Sequence, residues 1–325
     1  MQADGNARPG TLPNVPGTGG TVNVLGCTLD LGDCPDAFRP YVLEDWAFTD
    51  HGREASGRVI VLGPTNGAPK ALPDAARAVT VHAMQQQIPL GVHEDAVTYA
   101  PRGEVLLRAD YLPGTVTVGL APSAVPDRAT LAALKVMIAE GVRRSGLLPL
   151  HAAVAARGDT TCAFIGPSGT GKSTTLLRAL QAGWTALAED FVWLDPATAQ
   201  VYGWDRGMRL LQDSLAHLPP NLRQREWARH ADGKAWLPFE ALVDADVAFD
   251  PHGRTLTQVA VLSRRPEDPS EWLSMPRLEA VRAFWEAAGL PVTDAAASGT
   301  ASQISRVLPR LKFSRLVLGR GPLPL

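Results

Sequence analysis

Several features that would define a functional class are scarce or absent in this sequence. The 325 residues include three cysteines, Cys27, Cys34 and Cys162, which form neither a CxxC pair nor a metal-ligand spacing. The formal net charge is -2, whereas proteins that bind nucleic acid through bulk electrostatics are normally basic. The composition therefore gives no sign of a cysteine-based metal site and argues against a nucleic-acid partner.

Long apolar runs are also missing, which bears on where the protein works. No stretch of about 18 apolar residues occurs, so we expect no membrane span and no membrane partner. The N-terminus, MQADGNARPGTLPNVPGTGG, lacks the basic start and apolar stretch of a signal peptide. We therefore expect a cytoplasmic protein in which Cys27 and Cys34 do not form a disulfide and Cys162 is a small buried apolar residue.

The pattern along the chain predicts a tail followed by two domains. Residues 1–20 are rich in Gly, Pro, Asn and Thr, which is typical of a flexible tail. Residues 21–125 contain short alternating and β-branched segments between Gly and Pro, which predict a strand-rich N-terminal domain. Helical periodicity begins after Asp127, a residue that can cap the helix. We therefore place the boundary near residue 125 and assign residues 126–325 to a second domain.

The stretch FIGPSGTGKSTTLL, residues 164–177, predicts a phosphate-binding loop between a strand and a helix. Its spacing from Gly166 to Ser173 fits the P-loop pattern. Glycines let backbone N–H groups surround phosphate oxygens, Lys172 reaches the β- and γ-phosphates, and the Ser173 hydroxyl binds Mg²⁺. We therefore expect a Mg²⁺-bound nucleotide. The predicted nucleotide-binding residues are Gly166, Ser168, Gly169, Thr170, Gly171, Lys172, Ser173 and Thr174.

An acidic pair, Glu189-Asp190, follows the loop and ends an apolar run. Only one helix and one strand fit between Lys172 and this pair, so we expect the acidic strand to be a spatial neighbour of the loop. One carboxylate can hold Mg²⁺, and the other can accept a proton from an attacking hydroxyl. Adjacent strand residues point to opposite faces. Both can serve one site only if the strand ends there and the backbone turns.

Motifs of other nucleotide-binding classes are missing. We find no LSGGQ-like signature of ABC-type ATPases and no NKxD-like base-reading motif of GTPases. His151 precedes the loop strand and can lie beside the metal and the γ-phosphate, although a structural histidine is the alternative. Phosphoryl transfer from a nucleotide would need further positive charge on the γ-phosphate. Arg206, Arg209 and Lys234 are the candidates, with ordinary surface charge as the alternative for each.

These residues together resemble the C-terminal catalytic domain of HPr kinase/phosphorylase. The resemblance covers about residues 148–203 and is carried by LHAAVAARGDTTCAFIGPSGTGKSTTLLRALQAGWTALAEDFVWL. The family has a strand-opening histidine, a P-loop of GxSGxGKS type, one helix and a paired-acid strand. The resemblance implies an α/β P-loop kinase domain of the HPr kinase/phosphoenolpyruvate carboxykinase type, preceded here by the strand-rich domain. It also implies phosphoryl transfer from ATP, with Mg²⁺, to a serine of a protein partner.

The same resemblance implies roles for individual residues. Lys172 and the loop from Gly166 to Thr174 would hold the triphosphate, and Lys172 would also be catalytic. Ser173 and Asp190 would be metal ligands, Glu189 the general base, and His151 the active-site histidine.

Two departures from the family pattern change the expected substrate. Glu189 stands where the family has aspartate, and the family's Gly-rich signature ending in Ile-Asn has no counterpart, although GWDRGMRLLQD lies near its place. We therefore do not expect HPr as the substrate. Divergent members of about this length also resemble enzymes encoded beside ribosomal peptide precursors, including those of lasso peptides, which suggests a peptide serine or C-terminal residue as acceptor. A nucleotide-binding regulatory module with little or no transfer activity and a small-molecule kinase remain as alternatives, and the sequence leaves a homo-oligomer open.

Overall fold

The computed structural model describes residues 20–47, 53–65, 75–229, 233–243, 248–320 and 323–324. The tail predicted at residues 1–20 lies outside these ranges except for its last residue. The described chain is a mixed α/β structure with several β-sheets, which confirms the α/β class. None of its described helices is long and apolar enough to cross a membrane.

The chain divides into two compact units. The first contains the described residues of Leu12–Leu147 together with Leu290–Gln303, and the second contains Leu148–Gly289 and the described residues of Ile304–Leu325. The helix that follows the boundary predicted near residue 125 packs on strands of the first unit.

The first unit is built on an eight-stranded sheet with the order β1-β2-β3-β8-β7-β6-β5-β4. Alternating burial along β7 shows one face directed into the core, as the alternating sequence predicts. The strands are β1 (Thr21–Val24), β2 (Cys27–Asp30), β3 (Val59–Pro64), β4 (Arg77–Ala83), β5 (Gln86–His93), β6 (Ala96–Tyr99), β7 (Leu107–Leu112) and β8 (Thr115–Leu120). The helices of residues 20–147 are α1 (Arg39–Trp46) and α2 (Arg128–Arg143).

Helix α2 begins and packs as its sequence predicts. The Asp127 side chain accepts a hydrogen bond from the Thr130 backbone N–H at 2.8 Å and so caps the first turn. The predicted apolar stripe faces the core, with Leu134 and Met137 buried and Leu131 half-buried. The helix lies against β5, β7 and β8, which explains its place in the first unit.

The second unit contains a six-stranded, a four-stranded and a two-stranded sheet. Their orders are β12-β10-β11-β18-β20-β19, β17-β14-β13-β9 and β15-β16. The strands are β9 (Leu148–Leu150), β10 (Ala153–Arg157), β11 (Thr160–Ile165), β12 (Thr185–Ala188), β13 (Val192–Leu194), β14 (Gln200–Gly203), β15 (Gly207–Leu210), β16 (Ala235–Pro238), β17 (Arg254–Thr255), β18 (Gln258–Pro269), β19 (Glu271–Ser274) and β20 (Lys312–Arg320). The helices are α3 (Lys172–Gln181), α4 (Gln212–Leu215), α5 (Pro220–Arg223), α6 (Phe239–Val243), α7 (Arg277–Ala288) and α8 (Asp294–Val307), whose first part belongs to the first unit, followed by a 3₁₀ turn at Leu308–Arg310.

Strand β10 sets the geometry of the candidate site. It pairs antiparallel with both β11 and β12. Strands β11 and β12 therefore run in the same direction, and their carboxyl ends lie at the same edge of the sheet. This edge carries the predicted phosphate loop after β11 and the acidic pair after β12.

Apolar cores cover both faces of the six-stranded sheet. On one face Ala163 and Ile165 of β11 pack with Phe284 of α7. On the other face Cys162 and Phe164 pack with helix α3. A strand buried on both faces has a nearly continuous apolar sequence, as TCAFI does.

All three cysteines are free and buried, and the burial of Cys162 is the one that the sequence predicts. Burial raises the pKa of the Cys162 thiol to about 12, so this side chain behaves as a small apolar core residue.

Candidate functional site

The loop between β11 and α3 leads directly into the N-terminus of the helix. Gly171 immediately precedes α3 and has a φ of 104°, a left-handed value that other residues rarely adopt. The Thr170 hydroxyl donates to the Pro167 carbonyl at 2.8 Å and ties the loop together. The first N–H groups of a ten-residue helix therefore face the loop, an arrangement that favours phosphate oxygens.

Lys172 lies across this loop with its ammonium group held close to the backbone. Its Nζ donates to the Gly166 carbonyl at 2.9 Å, and the residue is 7% exposed. Burial lowers the pKa of Lys172, while the negative charges of Asp190 and Glu189 act in the opposite direction. The cation thus lies in the same electrostatic environment as the acidic pair.

Glu189 makes direct contact with the phosphate loop. Strand β12 ends at Ala188, the chain bends at Glu189 and Asp190, and the Ser173 hydroxyl donates to the Glu189 carboxylate. Glu189 is 3% exposed. Burial raises its pKa to about 7, and the charges of Asp190 and Asp205 act in the same direction. A base of this pKa is half ionised near neutral pH.

Asp190 is surrounded by cationic and polar groups. The Arg209 guanidinium donates to its carboxylate, and His151 Nε2 lies 3.3 Å from Asp190 Oδ1. The Asp190 carbonyl also accepts the Ala152 backbone N–H at 3.1 Å. This last contact brings the turn after β9 against the acidic pair.

His151 lies between β9 and β10, two residues before the antiparallel pair of β10 and β11 that leads into the phosphate loop. Its backbone N–H donates to the Ala287 carbonyl at 2.8 Å. The sequence predicts that His151 opens the strand before the loop strand, but that strand, β10, begins at Ala153. Partial burial lowers the pKa of His151, the charge of Asp190 raises it, and the charges of Lys172, Arg209 and Lys234 lower it further. A neutral imidazole at pH 7 follows.

The three predicted phosphate-contacting cations are placed differently. Arg209 in β15 contacts the acidic pair, with its Nε 3.9 Å from Glu189 Oε2. Lys234 is near enough for its charge to lower the pKa values of Lys172 and His151. Arg206 precedes β15, and its carbonyl accepts the Phe239 backbone N–H at 2.9 Å.

Two residues at this site were not predicted from the sequence. Asp205 Oδ2 accepts the backbone N–H groups of Glu189, Asp190 and Phe191 at 2.9, 2.7 and 2.9 Å. Burial and the charge of Asp190 raise the pKa of Asp205 to about 6, although the three amides oppose the rise. No local sequence pattern identifies Asp205 as part of the site, because its hydrogen-bond partners lie 14 to 16 residues earlier in the chain.

Arg264 is the second such residue. Its Nε donates to the Thr170 carbonyl at 3.0 Å, from the outer side of the phosphate loop. The available signal was the apolar run at the start of β18, whose parallel pairing of Ile165 with Val261 brings the residues just after Val261 beside the loop. Sequence alone does not show that pairing.

The oxygen groups at the site fit a magnesium ion held jointly with phosphates. Among the described residues, no three or more His, Cys, Asp and Glu side chains form a metal cage on their own. Mg²⁺ in phosphate chemistry needs only one or two protein oxygens, since waters and phosphate oxygens complete its shell. The Ser173 hydroxyl and the carboxylates of Glu189 and Asp190 are such oxygens.

No protein-family model matches the chain, and no curated protein sequence matches it. The functional argument therefore rests on the residues and geometry of the site.

Proposed function

We propose that the protein is a kinase that uses ATP and Mg²⁺ to phosphorylate a hydroxyl of a protein or ribosomal peptide, on a serine or on the C-terminal residue. We further propose that its second unit is a P-loop kinase domain of the HPr kinase/phosphoenolpyruvate carboxykinase type. One observation carries the proposal: a buried carboxylate, Glu189, contacts Ser173 of a complete phosphate loop. Its raised pKa suits a base that works near neutral pH.

Phosphate binding uses the loop and the start of α3. The helix N–H groups and Lys172 surround the phosphate oxygens, and Lys172 exchanges the Gly166 carbonyl for them. Ser173 and Asp190 would hold Mg²⁺, which would supply positive charge that stabilises the charge developing on the phosphate oxygens. Arg209, paired with Asp190, and Lys234 are placed to balance charge on the γ-phosphoryl group.

Transfer then requires a proton acceptor. Glu189 takes the proton of the acceptor hydroxyl as the hydroxyl oxygen bonds to the γ-phosphorus. The bond from that phosphorus to the β–γ bridging oxygen breaks, and ADP leaves with the electron pair. His151, neutral beside Asp190, orients that carboxylate. The products are ADP and a phosphorylated hydroxyl, with one proton on Glu189 to be released to water.

The second carboxylate favours transfer over nucleotide sensing. A sensor needs a phosphate loop and one metal ligand, whereas burying an additional carboxylate opposes folding. Glu189 is 3% exposed and carries such a penalty. A role as proton acceptor beside the phosphate loop gives this costly carboxylate a function.

The experiment incubates the protein with γ-labelled Mg-ATP and an array of serine-containing peptides. Glu189→Gln keeps size and hydrogen bonding but removes the proton acceptor. We expect Mg-ATP affinity to stay within a few-fold while transfer falls by about 10²–10⁴-fold. The control is Glu240→Gln, at an exposed position of α6. Nucleotide binding without transfer to any peptide, in the wild type, would favour the regulatory module or a small-molecule kinase.

Asp190→Asn separates the metal ligand from the base. This variant weakens the Mg²⁺ site, so a Mg²⁺ titration should recover part of its loss in transfer, whereas Glu189→Gln should not recover. Equal recovery in both variants would mean that the two roles are shared or exchanged. Unchanged transfer in both would remove the acidic pair from the mechanism.

A further inference from the structure

We infer that Asp205 is a positioning residue that holds the chain bend from which Glu189 and Asp190 both face the phosphate loop. The inference rests on the proposed function, because it concerns how that site binds its magnesium–nucleotide complex. It starts from a geometric difficulty. Consecutive residues of a strand point to opposite faces, yet Arg209 lies within ion-pair distance of both Glu189 and Asp190.

A single carboxylate oxygen resolves this difficulty. The N–H groups of Glu189, Asp190 and Phe191 all donate to Asp205 Oδ2, at 2.9, 2.7 and 2.9 Å. In an extended strand successive N–H groups point in opposite directions, so three of them reach one oxygen only where the backbone is bent. Such concave runs of N–H groups bind anions, and the ionised acceptor makes these hydrogen bonds strong.

Strand β14 brings the chain close enough to this bend for Asp205 to reach it. Gly203 pairs with Val192, and a Cβ atom at position 203 would lie 1.9 Å from the Leu187 carbonyl oxygen. Only glycine permits that approach of two backbones. The Trp204 N–H then donates to the Phe191 carbonyl at 3.0 Å, which directs the next residue, Asp205, toward the bend.

Asp205 thus acts through the backbone of the acidic pair. Partners that orient metal ligands typically change metal affinity by about 10- to 100-fold when they are removed. Loss of Asp205 should therefore reduce the contribution of Mg²⁺ to nucleotide binding. It should spare the contribution of the phosphate loop, which Lys172 and the α3 N-terminus supply.

Asp250 offers a matched control within the same unit. Its carboxylate also stabilises a local turn, accepting the His252 N–H at 3.1 Å and pairing with Arg254 at 3.0 Å. Its own N–H donates to the Ala186 carbonyl, near the opposite end of β12 from the acidic pair. Asp250→Ala therefore reports on the general cost of losing a turn-forming carboxylate beside this strand.

The experiment measures ADP binding by calorimetry in EDTA and in Mg²⁺, for the full-length wild type and each variant. We expect the wild type to bind ADP more tightly with Mg²⁺. Asp205→Ala should keep its affinity in EDTA within a few-fold and lose about 10- to 100-fold of the Mg²⁺-dependent gain. Asp205→Asn keeps one neutral acceptor oxygen and should lose about 3- to 10-fold. Asp250→Ala should keep both affinities.

Each outcome bears on the inference. A folded Asp205→Ala protein with the full Mg²⁺-dependent gain would overturn it and leave the proposed function intact. If Asp205→Ala does not fold, the isosteric Asp205→Asn decides, and an unchanged gain in that variant overturns the inference. A wild type that shows no gain from Mg²⁺ would remove the proposed function and this inference together. An equal loss in Asp250→Ala would show that Asp205 has only a general structural role.

Discussion

Glu189 is a residue at which the proposed chemistry and the stability of the fold are opposed. Its side chain is almost completely buried, and burial raises its pKa from the ordinary value of 4.5 to about 7. The neighbouring charges of Asp190 and Asp205 add to this effect, and the Ser173 hydroxyl and Arg209 only partly offset it. A carboxyl whose pKa is raised in the folded state destabilises the folded protein at pH values above the pKa that the group has in the unfolded chain.

This opposition predicts a pH-dependent gain in stability for Glu189→Gln. The penalty is small below pH 4.5, where the carboxyl is protonated in both states, grows between 4.5 and about 7, and is complete above that value. At pH 8 the variant should be more stable than the wild type by about 1–3 kcal/mol. The difference should shrink markedly at pH 5. Urea unfolding at both values measures it.

The control for this prediction is Glu240→Gln, at an exposed position of the same unit. It should change stability little at either pH. A Glu189→Gln protein that is no more stable than the wild type at pH 8 would contradict the burial penalty.

The strand–loop–helix element from β11 to α3 is where sequence and structure agree most closely. The sequence predicts a helix directly after the loop, and the structure has α3 at Lys172–Gln181, followed by Gly183 with a φ of 80°. Left-handed glycines at both ends of the helix account for this agreement. Their spacing is a local property of the chain.

At the scale of this element we expect Lys172→Ala to abolish stabilisation by nucleotide. A ligand at 100 times its Kd stabilises a protein by about 2.7 kcal/mol, and Lys172 supplies the loop's buried positive charge. Thermal unfolding with and without saturating Mg-ATP measures the effect. Lys135→Ala, which removes a half-exposed ion pair with Asp45, should keep the wild-type shift. A wild type that Mg-ATP does not stabilise would contradict nucleotide binding.

For strand β12 and the acidic pair that follows it, the sequence predicts the strand but not its neighbours in the sheet. Its apolar run and its position after one helix predict a strand near the loop, and β12 is that strand. The sequence does not show that β10 lies between β12 and β11, antiparallel to both. Because β10 is antiparallel to both neighbours, β11 and β12 run in the same direction, and their carboxyl ends lie at the same edge of the sheet.

At the scale of the whole molecule, the first unit is assembled from distant parts of the chain. Leu290–Gln303 belong with the residues that precede Leu148. The contact is polar and buried: Glu140 Oε1 accepts the N–H groups of Val292 and Thr293 at 3.0 and 2.9 Å. Arg143 Nε lies 3.5 Å from the other oxygen of Glu140, and both side chains are less than a tenth exposed.

We therefore expect Glu140→Ala to be strongly destabilising. It leaves the Arg143 charge buried without its carboxylate, a change that typically costs about 3–5 kcal/mol. Urea unfolding followed by fluorescence measures the loss. Glu286→Ala breaks only the exposed pair with Arg282 and should cost less than about 1 kcal/mol. Similar losses in the two variants would contradict the anchoring role of Glu140.

The sequence by itself determined the features that depend on near neighbours. The phosphate loop follows from glycine, lysine and serine spacing, and helix α2 follows from its apolar stripe and the Asp127 cap. These patterns are readable because the interactions that cause them join residues within a few positions of one another. The candidate base Glu189 could be identified from the sequence for the same reason, because it lies at the end of an apolar run.

Only the tertiary structure decided which distant residues meet at the site and in each unit. Asp205 reaches the amides of Glu189–Phe191 across a hairpin, and Arg264 reaches the Thr170 carbonyl from a strand that follows much later. The assignment of α2 and of Leu290–Gln303 to the first unit depends on the same kind of contact. Such pairings arise from the packing of whole elements, and a single carboxylate or guanidinium carries no periodic signal of its eventual partner.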